Sequence, residues 1–204
     1  GVSLSLRAAS LVRDARLEDT EQQFASAADQ ITLRIEERLA AYALVLRGAA
    51  GLFDASEEVD RDEWRLFVDK LHATDALGHI QGIGYTEWIP ADRLAAHEAR
   101  VRAEGFPDYR VQPAGPREPY TAIVSRWPFT GRNLRVFGYD MYAEPVRRAA
   151  MEQARDTGRA ALTGRVELVQ ETGEDVQPGT LMYVPVYRQG MPIETVAQRR
   201  AALA

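Results

Sequence analysis

The sequence predicts an α+β fold, with one long N-terminal helix followed by a mostly antiparallel sheet and its flanking helices. Three observations predict it. Residues 2–47 contain neither proline nor glycine, and later segments alternate apolar with polar residues in the manner of strands. The connections between those segments are short and turn-like, which favours antiparallel pairing over the long helical crossovers of a doubly wound parallel sheet.

The composition is that of a globular protein. The chain has 204 residues, of which 46% are hydrophobic and 27% are charged, enough for one domain with a real core or for two small ones. A net charge of −5 argues against a nucleic-acid surface, so we expect no nucleic-acid partner. The absence of cysteine excludes disulfides, thiolate metal ligands and a cysteine nucleophile.

The first helix is predicted over residues 1–50, with Gly48 and Gly51 breaking it. Apolar residues recur along it at intervals of three and four, which produces a continuous stripe. The stripe consists of Phe24, Ala28, Ile31, Ile35, Leu39, Tyr42 and Leu46. Two interpretations stay open: the stripe packs on the following domain, or it forms the seam of a homodimer.

A second helix is predicted to begin at Asp60, because Asp60 and Glu63 have the spacing of a capping box. One face of this helix is apolar and is expected to be core. Its members are Trp64, Phe67, Val68 and Leu71.

The first predicted strand spans residues 79–89, where side chains of different character alternate. Gly82 and Gly84 share one of its faces, which leaves room close to the sheet for a packed helix or for a ligand. Pro90 then starts a third helix that Gly105 ends, and residues 109–111 are predicted as a short strand.

Residues 120–188 carry most of the distinctive residues of the chain. Strands are predicted over residues 120–127, 133–141, 162–170 and 180–189, the last two separated by a polar turn at residues 171–179. Between the second and third of these strands, Glu144-Pro145 opens a helix, and Gly158 follows its last turn, where a left-handed residue is usual.

No catalytic pattern is present. His72, His79 and His97 have no metal-ligand spacing, and the acidic residues at 171, 174 and 175 lack the pattern of a calcium loop. The chain also lacks glycine-rich phosphate loops and a nucleophile elbow. We therefore expect a protein that is not an enzyme and that uses neither a metal nor a cofactor.

The strands within residues 120–189 offer aromatic faces with interspersed hydrogen-bonding groups, which could hold a planar or carboxylated small molecule. The aromatic candidates are Tyr120, Trp127, Phe137, Tyr139 and Tyr183, and the polar ones are Arg126, Asn133, Thr163 and Arg165. For each aromatic residue the alternative is core packing. For Arg126 and Arg165 it is a surface salt bridge.

A set of short motifs in this region, taken in order, resembles the CHASE domain. The motifs are Gly138-Tyr139-Asp140-Met141, Glu144-Pro145-x-Arg147-Arg148, Ala154-Arg155-Asp156-Thr157-Gly158, Leu162-Thr163-Gly164 and Tyr183-x-Pro185-x-Tyr187. The resemblance covers about residues 47–190. It implies the extracytoplasmic sensor of a membrane receptor, as found in many bacterial histidine kinases and diguanylate cyclases and in plant cytokinin receptors.

The resemblance also implies a domain organisation, with a stalk helix and two PAS-like modules of which the membrane-distal one binds the ligand. We expect the stalk at residues 1–50, the distal module at 51–190 and the start of a truncated membrane-proximal module at 191–204. The order of elements is itself compatible with a PAS-like fold. Such a domain would lie in the periplasm between transmembrane helices outside this sequence, and would signal through its stalk to a kinase or cyclase.

Tyr120 and Thr163 match pocket residues of the cytokinin-binding members. Those members also use an aspartate to accept hydrogen bonds from the adenine ring, and the corresponding residues 130–133 include no acid here. Arg132 in that stretch favours an anionic or acceptor-rich ligand over a cytokinin. Asp140 is expected at a turn or helix entry. The alternative function is a structural or dimerisation module that binds no small molecule.

Overall fold

The computed structural model describes residues 2–73, 80–169 and 178–204, and in the first of these ranges it describes side chains at residue 16 and from residue 19 onward. The chain divides into two compact units, Gly1–Tyr42 and Ala43–Ala204. Helices predominate, and the second unit contains a small antiparallel sheet. The predicted α+β class is confirmed.

Helix α1 spans Val2–Ala55 and is longer than predicted. It continues through Gly48 and Gly51, so the prediction that these glycines break the helix is wrong. A glycine in a helix interior costs only about 1 kcal/mol relative to alanine. Burial of the intervening Ala49, which is 5% exposed, favours the helical conformation here. A Cβ at either glycine would meet open space, so neither is needed for a close approach.

The apolar stripe of α1 is exposed over part of its length. Phe24 is 76% exposed, Ile31 58% and Ile35 55%. For these three side chains, packing on the following domain stays a prediction. Further along the helix, Leu46 is partly buried in a core cluster. The homodimer seam stays a prediction.

Helix α2 spans Arg61–Ala73 and begins as predicted. The Asp60 carboxylate accepts hydrogen bonds from the N–H groups of Asp62 and Glu63, both at 2.8 Å. The Glu63 carboxylate accepts one from the Asp60 N–H at 3.2 Å. This reciprocal bonding is that of a capping box, and it satisfies N–H groups that the first helical turn leaves free.

One core cluster joins the end of α1, helix α2 and the sheet. Its buried members are Ala49, Trp64, Val68 and Ile83, and the partly buried residues around them include Val45, Leu46, Phe53, Phe67, Leu71 and Trp127. The predicted apolar face of α2 is therefore core. The last turns of α1 are held to the sheet through this cluster.

Strands β1 (Ile83–Ile89) and β2 (Tyr120–Trp127) pair antiparallel, with Ile83 opposite Trp127 at one end. One register shift in the middle of the pair marks a β-bulge. Both strands were predicted, although His79 lies outside the described residues and β1 begins later than expected.

The space beside Gly82 and Gly84 is filled by strand β2. A Cβ on Gly82 would lie 2.6 Å from the Trp127 carbonyl oxygen, and one on Gly84 would lie 2.8 Å from the Ser125 carbonyl oxygen. The glycines therefore allow β2 to approach closely. The occupant of this space is a strand, and not the packed helix or the ligand that the sequence analysis considered.

Helix α3 spans Leu94–Ala103 and follows the 3₁₀ turn Ala91–Arg93, so the predicted helix after Pro90 is confirmed. The short strand predicted over residues 109–111 is wrong. Only an isolated bridge between Gln112 and residue 139 lies in this region of the described chain.

The strand predicted over residues 133–141 is wrong in its first half, where Gly131–Val136 forms a 3₁₀ helix. Only the stretch that follows runs beside β2. There the Gly138 N–H donates to the Ile123 carbonyl at 2.9 Å, and the Ile123 N–H donates to the Tyr139 carbonyl at 3.2 Å.

Gly138 explains why the extended conformation begins so late. Its φ is +79°, a left-handed value that favours glycine, and a Cβ there would lie 2.4 Å from the Arg110 carbonyl oxygen. The chain therefore turns at Gly138, the residue at which it meets β2, and alternation of side chains alone did not reveal that turn.

Helix α4 spans Pro145–Thr157 and has the predicted ends. The Glu144 carboxylate accepts hydrogen bonds from the N–H groups of Val146 and Arg147, both at 2.9 Å. Gly158 follows the last turn with φ of 68°, which is the left-handed C-terminal position predicted for it.

The strands predicted over residues 162–170 and 180–189 are wrong in extent. In this part of the chain, the described residues 161–169 and 178–189 form four two-residue strands: β3 (Ala161–Leu162), β4 (Val166–Glu167), β5 (Pro178–Gly179) and β6 (Met182–Tyr183). Strand β3 pairs with β6, and β4 with β5. Both pairs run along the same two antiparallel segments, but the register shifts by one residue between Leu162↔Met182 and Val166↔Gly179, so the ladder is interrupted between them. The acidic turn at residues 171–175 lies outside the described residues.

Helix α5 spans Val196–Ala202 and is tied to α4 by charge. Arg200 and Arg155 donate to the Asp156 carboxylate at 2.6 Å and 2.7 Å, and these hydrogen bonds hold the pKa of Asp156 well below its usual range. Residues 191–204 belong to the same compact unit as residues 43–190. That they begin a second module stays a prediction.

Asp140 is fully buried, and its carboxylate accepts four hydrogen bonds. The donors are the Thr121 N–H at 2.9 Å, the Thr121 hydroxyl at 3.0 Å, the Tyr142 N–H at 3.0 Å and the Arg117 Nε at 2.8 Å. Asp140 also caps the 3₁₀ turn Met141–Ala143, so its predicted place at a helix entry is confirmed.

We expect Asp140→Asn to lower the free energy of unfolding by about 3–5 kcal/mol, since it removes the counter-charge of Arg117 and turns one acceptor into a donor among donors. Urea unfolding of the variant against the wild type measures the loss. The exposed Asp108→Asn is the matched control and should change stability little. A loss below about 1 kcal/mol for Asp140→Asn would contradict this account.

Glu87 ties β1 to α3. Its carboxylate lies 3.4 Å from the His97 Nδ1 and forms a salt bridge with Arg100. Burial alone raises the pKa of Glu87, but the hydrogen bonds and positive charge of His97 and Arg100 together outweigh burial, so the pKa lies below its usual value. The other ring nitrogen of the buried His97 lies 2.8 Å from the Tyr109 hydroxyl.

A carboxylate with a lowered pKa stabilises the fold fully above its unfolded pKa of about 4.3, and this contribution is lost as pH falls through the folded pKa. We expect Glu87→Gln to flatten the decline in the free energy of unfolding below about pH 4.5. Urea unfolding between about pH 7 and pH 3 measures this. Glu57→Gln, an exposed control, should keep the wild-type slope, and the same slope in Glu87→Gln would show that Glu87 is not coupled to folding.

Candidate ligand-binding site

The candidate site lies at the first turn of α4, where an arginine faces the protein interior. Arg147, Ala150 and Ala154 lie at i, i+3 and i+7 and are all buried. Two of them are small, so the helix packs closely, and Arg147 extends inward at 3% exposure.

The Arg147 guanidinium has polar partners on several sides. Its Nη1 donates to the Tyr139 hydroxyl at 3.3 Å, and its Nη2 donates to the Glu167 backbone carbonyl. The guanidinium also lies over the Tyr139 ring, 5.4 Å from its centroid, and 3.9 Å from the Glu144 carboxylate. Its Nε is buried and has no hydrogen-bond partner among the described residues.

Tyr183 presents a second polar atom of the same kind. It lies on β6, opposite Ala161 of β3, and its hydroxyl is buried without a hydrogen-bond partner among the described residues. Burial raises the pKa of Tyr183, and the nearby charge of Arg147 opposes this rise. The two unpartnered atoms therefore belong to neighbouring side chains.

Thr163 holds the strand that carries Tyr183. Its N–H donates to the Leu181 carbonyl at 2.8 Å, and its hydroxyl accepts from the Leu181 N–H at 2.9 Å. Both bonds fix β6 beside the turn after β3. Among the predicted ligand-binding residues, the structure thus brings Tyr139 and Tyr183 close to Arg147 and places Thr163 beside the strand that carries Tyr183.

The chemistry of this neighbourhood is recognition, and it offers no reactive group in a catalytic arrangement. A guanidinium and a phenol are hydrogen-bond donors, and a buried guanidinium with a free N–H attracts carboxylates and other acceptor-rich groups. A buried donor without a partner costs about 1–3 kcal/mol, which a ligand or an ordered water recovers by accepting from it.

An open apolar groove of about 380 Å³ lies beside the same helix. It is lined by Pro145, Val146, Ala149, Ala150, Gln153, Leu162 and Gly164. Leu162 and Gly164 flank Thr163 in the chain and are exposed, whereas Thr163 is buried. The groove and the cluster formed by Arg147, Tyr139, Thr163 and Tyr183, called the Arg147 cluster below, therefore lie on opposite sides of this segment.

Tyr120 is placed away from this cluster. Its hydroxyl donates to the Gly115 carbonyl at 3.0 Å and accepts from the Arg117 N–H at 3.1 Å. The Arg117 guanidinium covers its ring, 5.0 Å from the centroid. The hydroxyl of Tyr120 thus has hydrogen-bond partners within the fold, and its ring is covered by a cation of the same domain.

Trp127 and Asn133 also have internal partners. The Trp127 indole N–H donates to the Asp69 carboxylate at 2.9 Å, and its ring packs against His72 at 4.6 Å between centroids. The Asn133 amide accepts from Arg126 and donates to the Pro128 carbonyl, both at 3.2 Å.

Phe137 belongs to an aromatic cluster with Phe106, Tyr109 and Phe129. The Arg61 guanidinium lies 5.2 Å from its ring centroid. Arg132 and Arg165 are exposed. The structure therefore does not bring these predicted residues together with Tyr139 and Tyr183.

Arg147 was not among the predicted site residues, although the sequence carried a signal for it. An arginine at i with alanines at i+3 and i+7 lies on the face that a short helix buries. For Arg126, the alternative of a surface salt bridge is not what the structure shows, since it is half-buried and no carboxylate of the described residues pairs with it.

Residues 57–204 match the family model of the CHASE domain. The chain belongs to the CHASE domain family. The match extends past residue 190 to Ala204 and includes α2 to α5, the sheet and the whole Arg147 cluster. No curated protein matches the chain in a sequence comparison.

CHASE domains are extracytoplasmic, non-catalytic domains that sense small molecules in signal-transduction receptors. The function predicted for this CHASE domain is thereby confirmed at the level of a sensor. Within the described residues, no helix combines the length and apolar character that crossing a membrane requires.

Two tyrosine substitutions test the hydrogen bonding of the site. We expect Tyr183→Phe to leave the free energy of unfolding unchanged or to raise it by up to about 1 kcal/mol, because the removed hydroxyl has no partner. Tyr139→Phe should lower it by about 1 kcal/mol, because Arg147 loses an acceptor. Urea unfolding measures both, and a loss of more than about 1 kcal/mol for Tyr183→Phe would show that its hydroxyl is already bonded within the fold.

Proposed function

We propose that this CHASE domain binds a small-molecule ligand at the cluster of Arg147, Tyr139, Tyr183 and Thr163, and reports occupancy to a receptor's output domain. The observation that carries the proposal is the pair of unpartnered buried atoms, the Arg147 Nε and the Tyr183 hydroxyl. A ligand with acceptor atoms between them satisfies both. The mixture of charge and aromatic rings suits a planar or carboxylated molecule.

A contiguous set of contacts leads from this cluster toward α1. Tyr139 bonds through its backbone to Ile123 on β2, and β2 pairs with β1. Ile83 at the start of β1 is packed with Ala49 of α1. A ligand that favours one arrangement of Tyr139 thereby biases the packing at the end of α1, by no more than its differential affinity for the two arrangements.

The wider context of the proposal is a membrane receptor. The exposed residues Phe24, Ile31 and Ile35 support a homodimer through α1, in which two such helices cover each other's apolar stripes. In this arrangement the domain lies in the periplasm, transmembrane helices flank it, and a kinase or cyclase forms the cytoplasmic output. The same exposed stripe also supports the alternative of a dimerisation module without a ligand.

A thermal-shift screen of the purified chain against small carboxylates, amino acids, fatty acids and adenine-type cytokinins tests the function. A ligand at about 100 times its dissociation constant should add about 2.7 kcal/mol of stability, which is several degrees in melting temperature for a chain of this size. The hit is then titrated calorimetrically against wild type and Tyr183→Phe, and we expect the variant to bind about tenfold more weakly.

Tyr187→Phe is the matched control, since its hydroxyl donates to the Arg155 carbonyl and lies outside the proposed site. It should bind the ligand like the wild type. If wild type, Tyr183→Phe and Tyr139→Phe bound the ligand with equal affinity, the ligand would bind somewhere other than this cluster. If none of the four ligand classes raised the melting temperature, the result would favour the alternative of a dimerisation module without a ligand.

A further inference from the structure

Arg126, near the end of β2, is a second arginine for which the fold makes room. A Cβ on Gly82 would lie 2.7 Å from the Arg126 Nη2 and 2.9 Å from its Cζ. Any larger residue at 82 would therefore displace the guanidinium as well as the β2 backbone. The guanidinium lies in a space that strand pairing and this glycine create together.

The charge of Arg126 is not compensated within the described part of the chain. Its Nη2 donates to the neutral Asn133 amide at 3.2 Å, and its Nε is buried without a partner. No described carboxylate forms an ion pair with it. Burial lowers the pKa of Arg126, which is the direction expected when a cation is desolvated and left unpaired.

Three other partly buried arginines of the domain are paired with carboxylates. Arg117 pairs with Asp140 at 2.8 Å, Arg155 with Asp156 at 2.7 Å and Arg61 with Glu104 at 2.7 Å. A charge taken out of water is normally paired, because desolvating it alone costs several kcal/mol. Arg126 has no such carboxylate among the described residues, although its Nε is buried.

We propose that Arg126 and Asn133 form an oxyanion site that takes the carboxylate or phosphate group of a small molecule. The oxyanion accepts from the guanidinium N–H groups that the fold leaves free, in the geometry that makes arginine–oxyanion pairs strong. The site is separate from the Arg147 cluster, and it does not depend on the function proposed there.

Its position connects the oxyanion to α2. Trp127 follows Arg126 directly, bonds to Asp69 on α2 and lies in the core cluster that holds the end of α1. An oxyanion that draws Arg126 toward itself therefore acts one residue away from the contact between β2 and α2.

The test uses sodium phosphate and sodium acetate as probes, each against sodium chloride at equal ionic strength, with the thermal midpoint of the full 204-residue chain as the readout. We expect at least one probe to raise the wild-type midpoint in a saturable manner. Arg126→Met, which keeps length without charge, should weaken that response about tenfold or more. A response to phosphate alone identifies a phosphate ligand, and a response to acetate identifies a carboxylate.

Three controls make the outcome specific. Arg93→Met removes an exposed arginine and should respond like the wild type. Tyr187→Phe should also respond like the wild type, since its hydroxyl donates to the Arg155 carbonyl and lies outside both proposed sites. In chloride alone, Arg126→Met should melt at the wild-type midpoint or above it, because an unpaired charge has been removed from a partly buried position.

The proposal is overturned if neither anion raises the midpoint, or if wild type and Arg126→Met respond equally. It is also overturned if Arg126→Met melts below Arg93→Met in chloride, since the guanidinium would then already have a stabilising partner in the fold. Arg126→Lys keeps the positive charge but lacks the planar guanidinium. It serves as a second variant if Arg126→Met does not fold. A partial response from this variant supports the site.

Discussion

The buried carboxylate of Asp140 is the interaction on which the arrangement around β2 depends. It accepts hydrogen bonds from Thr121 of β2 and Tyr142 of the following turn at one fully buried point. Because Asp140 follows Tyr139 directly, the same anchor determines where the Tyr139 hydroxyl lies. Arg147 of α4 then finds its acceptor there. The candidate site is therefore a consequence of a structural carboxylate that does not take part in it.

The buried arginines of this CHASE domain differ in how fully the fold satisfies their charge. This difference separates arginines with a structural role from candidate ligand-binding arginines. Arg117 has the full counter-charge of Asp140 at 2.8 Å and belongs to the framework. Arg147 has a phenol and a carbonyl, with its carboxylate only at 3.9 Å, and retains a free Nε. Arg126 has one neutral amide. The less the fold itself satisfies the cation, the more a ligand gains by doing so.

The candidate site could be predicted only in part. Tyr139, Thr163 and Tyr183 were predicted as pocket residues, and the structure places them near one another. Phe137 lies in an aromatic cluster and Arg132 is exposed, because a 3₁₀ helix replaces the expected strand before Gly138. Alternation tells which residues share a face of a strand, but it does not tell where the strand begins or what packs on that face.

By itself the sequence determined the α+β class, the family resemblance, the start of α2 and both ends of α4. Those ends depend on hydrogen bonds within one turn, as at Asp60 and Glu144, and on one left-handed glycine, Gly158, so local residues suffice to specify them. The tertiary structure decided how far α1 extends, how short the later strands are, and that Arg126 and Arg147 are withdrawn from solvent. Each of these depends on partners that are distant in the chain, and residues only a few positions apart do not encode such partners.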